Sequence, residues 1–182
     1  SEQTNIALSK CKGQTCQYIQ GDEAIHENDL TAIEQGHREL TDRKNLHGLI
    51  FNYIHFYGNT NVYRHTRNVY RREVRAIKNG IKIQSWKDAQ GFRFENESKI
   101  NAKQIDAKIY HYGWARTEQV MNQKIQSFNK LYRGKNYKTQ DDFQYRKLWG
   151  LKKFTDKQPA LLEEWVKENT HEVDLMKLKS HF

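Results

Sequence analysis

The stretch Tyr18-Ile19-Gln20-Gly21-Asp22-Glu23 predicts an apolar-leaning strand that runs directly into two adjacent carboxylates. In an α/β sheet, ligands bind at the carboxyl ends of the strands. A carboxylate at that position suits Mg²⁺ or Mn²⁺ held against a phosphate, because these cations take oxygen ligands. The alternative is a plain turn in which Asp22 caps the next helix. The stretch therefore predicts either a metal-dependent site or a helix cap.

The composition is that of one folded domain with an anionic partner. The chain has 182 residues, which suffices for one domain with a sizeable core. Its hydrophobic fraction of 36% and mean hydropathy of −1.02 are low. The 12% of aromatic residues nevertheless argue against disorder, because Tyr, Phe and Trp bury large areas. The net charge of +9 predicts binding to nucleotide phosphates, nucleic acid or an acidic membrane surface.

The cysteines and the hydropathy predict the compartment. Cys11 and Cys16 flank a short turn and lack metal-ligand spacing, which favours reduced structural thiols. The longest apolar-leaning run, residues 46–57, is interrupted by polar residues and is too short to cross a membrane. The chain also shows no signal-peptide pattern. We therefore expect a cytoplasmic protein, or one peripheral to the inner face of the membrane.

Apolar periodicity predicts an α/β chain with a mixed sheet flanked by helices. Asn28 and Asp29 are typical of a helix start. The strand over 46–57 is apolar or aromatic on both faces, which favours a central position in its sheet. Helices are predicted over residues 2–11, 28–40, 117–133 and from 159 to 166, and strands over 15–20, 46–57 and 103–112.

The segment over residues 63–82 is dense in Arg and Lys and ends in a hairpin signal. Asn79-Gly80 favours a tight β-turn. The residues that follow, Ile81-Lys82-Ile83-Gln84-Ser85-Trp86, alternate apolar and polar side chains as a return strand does. The sequence therefore predicts a β-hairpin that turns at residues 79–80.

Four blocks of sequence, preceded by the helix over residues 5–11, together resemble one protein family. They are Cys16-Gln17-Tyr18-Ile19-Gln20-Gly21-Asp22-Glu23-Ala24-Ile25-His26-Glu27, Phe51-Asn52-Tyr53-Ile54-His55-Phe56-Tyr57-Gly58, Trp86-Lys87-Asp88-Ala89-Gln90-Gly91-Phe92-Arg93 and Ile109-Tyr110-His111-Tyr112-Gly113-Trp114. In order and spacing they resemble the acceptor-side half of a family-2 glycosyltransferase with a GT-A fold. The resemblance implies a partial GT-A-like domain over residues 1–156, with residues 157–182 as a helical tail packed on or beside it.

The resemblance also implies a metal site. Asp22 would be the metal-contacting acid of a DxD-type motif, in which Gln20 stands where many members have the first Asp. Glu23 would support the metal ligand or contact the donor, and His111 would complete the ligand set of Mn²⁺ or Mg²⁺. For His111 the alternative is a histidine satisfied in the core or at its rim.

Asp88 is the candidate catalytic base. Inverting sugar transfer needs a carboxylate that takes the proton of the acceptor hydroxyl as this hydroxyl attacks the anomeric carbon. Asp88 follows Trp86 at the end of a predicted strand and precedes Gly91, which lets the backbone approach a ligand. The alternative is an Asp that stabilises a turn.

Arginines supply the candidate sites for an acceptor or a phosphate group, because guanidinium groups match phosphate oxygens. The residues concerned are Arg71, Arg72, Arg75 and Arg93, with Trp86. A solvated basic face is the alternative, and nucleic-acid binding ranks below both because no known nucleic-acid motif is present.

The implied reaction moves a sugar from a nucleotide-sugar donor to a hydroxyl of a glycan or lipid-linked acceptor, with the metal offsetting charge on the leaving diphosphate. In the family the strands that bind the nucleotide precede the DxD strand. We therefore expect a second chain to complete the sheet. The alternative is a non-catalytic basic binding or assembly subunit that contacts nucleic acid or a protein partner, and the departure at Gln20 favours it.

Overall fold

The computed structural model describes residues 2–87, 90–134, 142–171 and 174–177. The chain is mixed α/β, and it divides into two compact units, Ser1–Tyr53 with Tyr70–Tyr110, and Ile54–Val69 with His111–Phe182. The elements in chain order are α1 (Glu2–Ser9), β1 (Thr15–Gln17), β2 (Glu23–Ile25), α2 (Leu30–Asp42), β3 (Gly48–Tyr57), β4 (Asn59–Arg64), β5 (Arg72–Lys78), β6 (Ile83–Trp86), β7 (Gly91–Phe94), β8 (Ala102–His111), α3 (Glu118–Arg133), β9 (Leu151–Lys153) and α4 (Glu163–Asn169).

The first unit is built on the strand order β1-β5-β3. Thr15 lies opposite Lys78 and Gly48 lies opposite Ile77, both in antiparallel register. The core contains buried residues of β3, β5 and β8, covered by α2. Gly36 of α2 lets the helix lie close to the strands, because a Cβ there would come within 3.0 Å of a side-chain carbon of Leu49.

The second unit contains the end of β3, which pairs with β4, and β4 in turn pairs with β9. Aromatic side chains fill its core. The Phe56 ring stacks on Tyr112 at 4.8 Å between centroids and meets Phe154 edge-on at 5.0 Å. The Tyr112 ring in turn contacts Trp165 at 5.5 Å. Large rings therefore provide core volume that the low aliphatic content of the chain cannot supply.

The periodic segments fold as the sequence predicts, and most of their ends are shifted by no more than two residues. The predicted strand over 46–57 is β3, and that over 103–112 is β8. The helix over 117–133 begins at Glu118, because the Thr117 side chain caps it by accepting a hydrogen bond from the Val120 N–H. The predicted tail helix is a short 3₁₀ turn, Ala160–Leu162, followed by α4.

The predicted hairpin at residues 79–80 is wrong. β5 pairs with β1 and β3, whereas β6 pairs with β7 in a separate two-stranded sheet. The predicted turn itself forms, since Gly80 adopts a left-handed conformation with φ +74°. However, the Asn79 side chain donates hydrogen bonds to the carbonyls of Cys11 and Gly13, at 3.1 and 2.8 Å. These contacts tie the turn to the loop before β1, and the strands on its two sides find other partners.

The prediction of reduced thiols is also wrong. Cys11 and Cys16 form a disulfide with 6.2 Å between their Cα atoms. The turn at residues 12–13 brings the two Cα atoms within the range that a disulfide requires. Because disulfides persist in oxidising compartments, the cytoplasmic expectation loses the cysteine argument on which it relied.

No helix in the described part of the chain is both long enough and apolar enough to cross a membrane.

Candidate functional site

A buried ion pair lies at the centre of the candidate site. Arg75 of β5 donates from Nη2 to Oε1 of Glu23, at the start of β2, over 3.2 Å. The two side chains are 1% and 0% exposed. The Tyr53 hydroxyl donates to the same Glu23 oxygen at 2.8 Å, and the Arg75 Nε donates to the Tyr53 hydroxyl. The charges of Glu23 and Arg75 therefore compensate each other inside the protein.

The polypeptide before Glu23 is fixed to this pair. The Gln20 N–H donates to Oε2 of Glu23 at 3.0 Å, and the Glu23 N–H donates to the Gln20 carbonyl at 3.0 Å. The Gln20 side chain donates to the Tyr18 hydroxyl at 3.3 Å. The Arg75 guanidinium carbon lies 5.1 Å from the centre of the Tyr18 ring, a cation–π distance. The turn that carries Asp22 is thus anchored on both sides.

Burial governs the ionisation of the aromatic residues here. Burial raises the pKa of Tyr53 far above its usual range, with Arg75 opposing and Glu23 adding to the rise. Burial likewise raises the pKa of Tyr70 to about 12, and the negative charges of Glu23, Glu73 and Asp22 contribute. Burial disfavours the charge of Arg75, but Tyr53 and Glu23 outweigh that effect and raise its pKa. Both hydroxyls therefore stay protonated and Arg75 stays charged at neutral pH.

Asp22 is half-buried in the turn that precedes β2. The predicted strand over residues 15–20 ends at Gln17, so the carboxylates follow a turn instead of a strand end. Asp22 is close enough to Tyr70 to raise the pKa of that hydroxyl. The structure thus places Asp22 and Glu23 in one polar cluster but gives them different roles, since Glu23 is bound to Arg75 and Tyr53.

A cleft of about 240 Å³, named the Trp86 cleft after one of its lining residues, adjoins β5 in the first unit. Its lining combines aromatic, charged and glycine residues, among them Glu73, Trp86, Gly91, Phe92, Arg93 and Lys99.

Two cations lie at cation–π distance from the indole of Trp86. The Lys87 Nζ and the Arg93 Cζ lie 4.3 and 4.6 Å from its ring centre. Lys87 has φ +53°, a left-handed conformation that is uncommon for a residue other than glycine. Such strain is concentrated at functional sites. The pairing of β6 with β7 brings Trp86 and Arg93 together, and both residues are predicted to bind an acceptor.

Glu73 is a functional candidate that the sequence reasoning missed. Burial raises the pKa of its carboxyl group, and the positive charges of Arg75 and Arg93 oppose the rise. A perturbed carboxyl group in a cleft marks a candidate site. The strand alternation of β5 could not have identified Glu73, because the register between β3 and β5 shifts at this point, from Leu49 opposite Ala76 to Ile50 opposite Val74.

The remaining predicted residues of this unit lie at its surface or outside the described residues. Arg71 and Arg72 are exposed, and the Arg72 guanidinium donates to Oε1 of Gln104 at 2.8 Å. Arg75 is in the buried pair, so the basic segment does not form one continuous solvated face. Asp88 lies outside the described residues, and its role as catalytic base stays a prediction.

His111 belongs to the second unit. Its Nδ1 lies 3.1 Å from the Nδ1 of His55, which is 6% exposed, and the two rings meet edge-on. A hydrogen bond between two imidazole nitrogens needs one of them to carry a proton and the other to lack it. This pairing matches the alternative of a satisfied histidine at a core, and the metal-ligand role of His111 stays a prediction.

The donor set bears on the implied metal ion. Within the ranges that the structure describes, no three His, Cys, Asp or Glu side chains come together as a metal cage. Mg²⁺ is commonly bound by one or two carboxylates, with substrate phosphates and water completing its shell. Asp22 is half-buried, and its role as a metal ligand stays a prediction.

A second cavity, of about 490 Å³, is lined by Arg43, Lys44 and Lys103 among others. Its positive charge is partly neutralised. The Lys103 Nζ lies 2.7 and 2.8 Å from the two carboxylate oxygens of Glu39, and this hydrogen bond lowers the pKa of Glu39. Arg43 also donates to Glu39, at 3.4 Å. Since Arg43 and Lys103 are already paired with Glu39 and no aromatic residue of the described chain lines this cavity, the Trp86 cleft is the stronger candidate site.

Comparison with protein-family models, with curated proteins and with solved structures finds no match for the chain. The fold and the site define the class as a mixed α/β protein with a buried Glu–Arg pair and an adjoining aromatic, cationic cleft.

Proposed function

We propose that the chain is a glycosyltransferase domain that moves a sugar from a nucleotide-sugar donor to a hydroxyl acceptor, with inversion and with a divalent metal. The observation that carries the proposal is one electrostatic cluster in the first unit. Arg75 pairs with Glu23 at 3.2 Å, the Tyr53 ring meets the Tyr70 ring at 5.1 Å between centroids, and burial raises the pKa of Tyr70 with a contribution from the charge of Asp22. The sequence resemblance supplies the reaction type.

Each part of the cluster suits one need of sugar transfer. Asp22 would hold Mg²⁺ or Mn²⁺, which when bound offsets negative charge on the leaving diphosphate. The buried pair of Glu23 and Arg75 keeps the Asp22 turn in place. Exposed Arg71 and Arg72 offer guanidinium groups to phosphate oxygens.

The acceptor side of the proposal rests on the cleft. Trp86 supplies an aromatic surface, and Arg93 and Glu73 supply polar groups that can orient a hydroxyl. Inversion requires that a carboxylate take the proton of the acceptor hydroxyl as the new glycosidic bond forms and the bond to the diphosphate breaks. Asp88 follows directly on Trp86 and Lys87 in the chain and keeps its predicted role as that base.

Asp22→Ala tests the proposal. Calorimetric titration with a nucleoside diphosphate, with and without Mn²⁺, should show metal-dependent binding by the wild type and its loss in the variant. Asp42→Ala, at the exposed end of α2, removes the same charge and should leave binding unchanged. Circular dichroism verifies that both variants are folded. Unchanged metal-dependent binding in Asp22→Ala would remove Asp22 from the metal site, and absence of nucleotide binding by the wild type would contradict the function.

A further inference from the structure

The described lining of the Trp86 cleft carries more positive than negative charge. Arg93 and Lys99 line it, and the Lys87 Nζ lies on the Trp86 ring, whereas Glu73 contributes a carboxyl group. Burial raises the pKa of the Glu73 carboxyl group, and the positive charges of Arg75 and Arg93 oppose that rise. A ligand that enters the cleft is therefore favoured if it brings a negative charge of its own.

The size of the cleft suits a ligand of a single ring. Its volume of about 240 Å³ is below the range of about 300–1,000 Å³ that is usual for sites of drug-sized ligands. The close approach of Gly91 sets one wall, because a Cβ there would lie 3.0 Å from Oε2 of Glu73.

The chemistry of the lining suits a sugar ring. The half-buried Trp86 offers aromatic surface to the apolar C–H groups of such a ring, and the buried Phe92 packs beneath the cleft as part of the core. The Glu73 carboxyl group accepts hydrogen bonds from hydroxyls, and Arg93 forms charge-assisted hydrogen bonds to an anionic oxygen.

We propose that the Trp86 cleft binds one monosaccharide unit that carries a carboxylate or a phosphate group. The inference rests on the proposed function in one respect, namely that this unit would belong to the acceptor. Binding itself does not require nucleotide, metal or transfer.

The test is a titration of the protein at constant ionic strength with glucuronate, glucose 6-phosphate, glucose and acetate, followed by calorimetry. At least one anionic sugar should bind about tenfold more tightly than both glucose and acetate, which is the value of one charge-assisted hydrogen bond. The first two probes separate a carboxylate from a phosphate as the preferred group. Equal affinity for glucose and the anionic sugars, or for acetate and the anionic sugars, would overturn the proposal.

Variants locate the binding. Arg93→Gln should weaken binding of the preferred sugar by about tenfold. Arg38→Gln removes the same charge from an exposed helix position that does not line the cleft, and should change affinity less than about twofold. If Arg93→Gln melts at a lower temperature than the wild type, Lys99→Gln, at an exposed position of the lining, replaces it. Equal effects of the cleft and control variants would refute the site.

The experiment separates this inference from the proposed function. Asp42→Ala should bind the anionic sugar as the wild type does, because Asp42 is exposed on α2 and does not line the cleft. Anionic-sugar binding without metal-dependent nucleotide binding would retain the cleft and discard the glycosyltransferase proposal. The reverse result would discard the cleft and retain the proposed function.

Discussion

Replacing Glu23 by glutamine should destabilise the protein strongly, because it leaves the positive charge of Arg75 uncompensated in the interior. Neither side chain reaches solvent, with exposed fractions of 0% and 1%. The carbonyl oxygen of the introduced amide can still accept the hydrogen bond that the Tyr53 hydroxyl donates to Glu23, so the volume and one contact persist. The amide nitrogen then replaces Oε2, which accepts from the Gln20 N–H, so the substitution removes one negative charge together with that hydrogen bond.

The expected magnitude follows from this burial. Breaking a buried ion pair from one side costs about 3–5 kcal/mol, and retention of the hydrogen bond places Glu23→Gln near the lower figure. For a chain of this length, about 3 kcal/mol corresponds to a fall of about 6–12 °C in melting temperature. Glu34→Gln is the matched control, since Glu34 pairs with Arg38 at 2.6 Å but on an exposed helix face. An exposed helical pair contributes about 0.3–0.5 kcal/mol, so the control should barely change the melt.

Urea and thermal denaturation followed by circular dichroism measure both values. A double variant, Glu23→Gln with Arg75→Met, should lose less stability than the sum of the single variants, because no charge of this pair remains buried. Additive losses, or a Glu23→Gln variant within about 1 kcal/mol of the wild type, would refute the conclusion that the pair is buried and mutually compensating.

Three further outcomes are expected. Glu73→Gln should gain stability relative to the wild type as pH rises. The folded-state pKa of Glu73 is raised above 4.5, so the wild type loses free energy of unfolding as pH rises from the unfolded-state to the folded-state pKa of this group. Denaturation at several pH values measures the difference in stability between the two proteins, and a difference that stays constant with pH would contradict the prediction. Native protein denatured without reductant should show no free thiol at Cys11 and Cys16, as a thiol assay can measure. Reduction of the disulfide should lower the free energy of unfolding by about 2 kcal/mol, because the closed loop is short. Melts with and without reductant measure this loss. If the chain is instead a basic binding subunit that uses residues 64–82, its affinity for generic DNA should fall steeply with salt; a fluorescence titration over a salt series measures the slope, and weak, salt-insensitive binding would exclude that use.

Part of this protein is determined by local sequence. The apolar periodicity of α2 and α3, the Thr117 cap and the long apolar strand β3 are properties of neighbouring residues, and each yields its element with small shifts at the ends. The turn at residues 79–80 likewise forms where Asn-Gly stands. These features depend on contacts within a few residues, which a sequence displays directly.

Tertiary structure alone decided the strand partners and the site. β5 is flanked by β1 and β3 instead of β6, and this order puts Arg75 against Glu23 across 52 residues of sequence. The same placement takes Arg75 out of the basic surface, and it lets Glu73 reach the cleft that contains Trp86. The physical reason is that a strand presents equivalent hydrogen-bonding edges to any partner. The choice among partners is therefore set by burial over long sequence distances, which local patterns do not record.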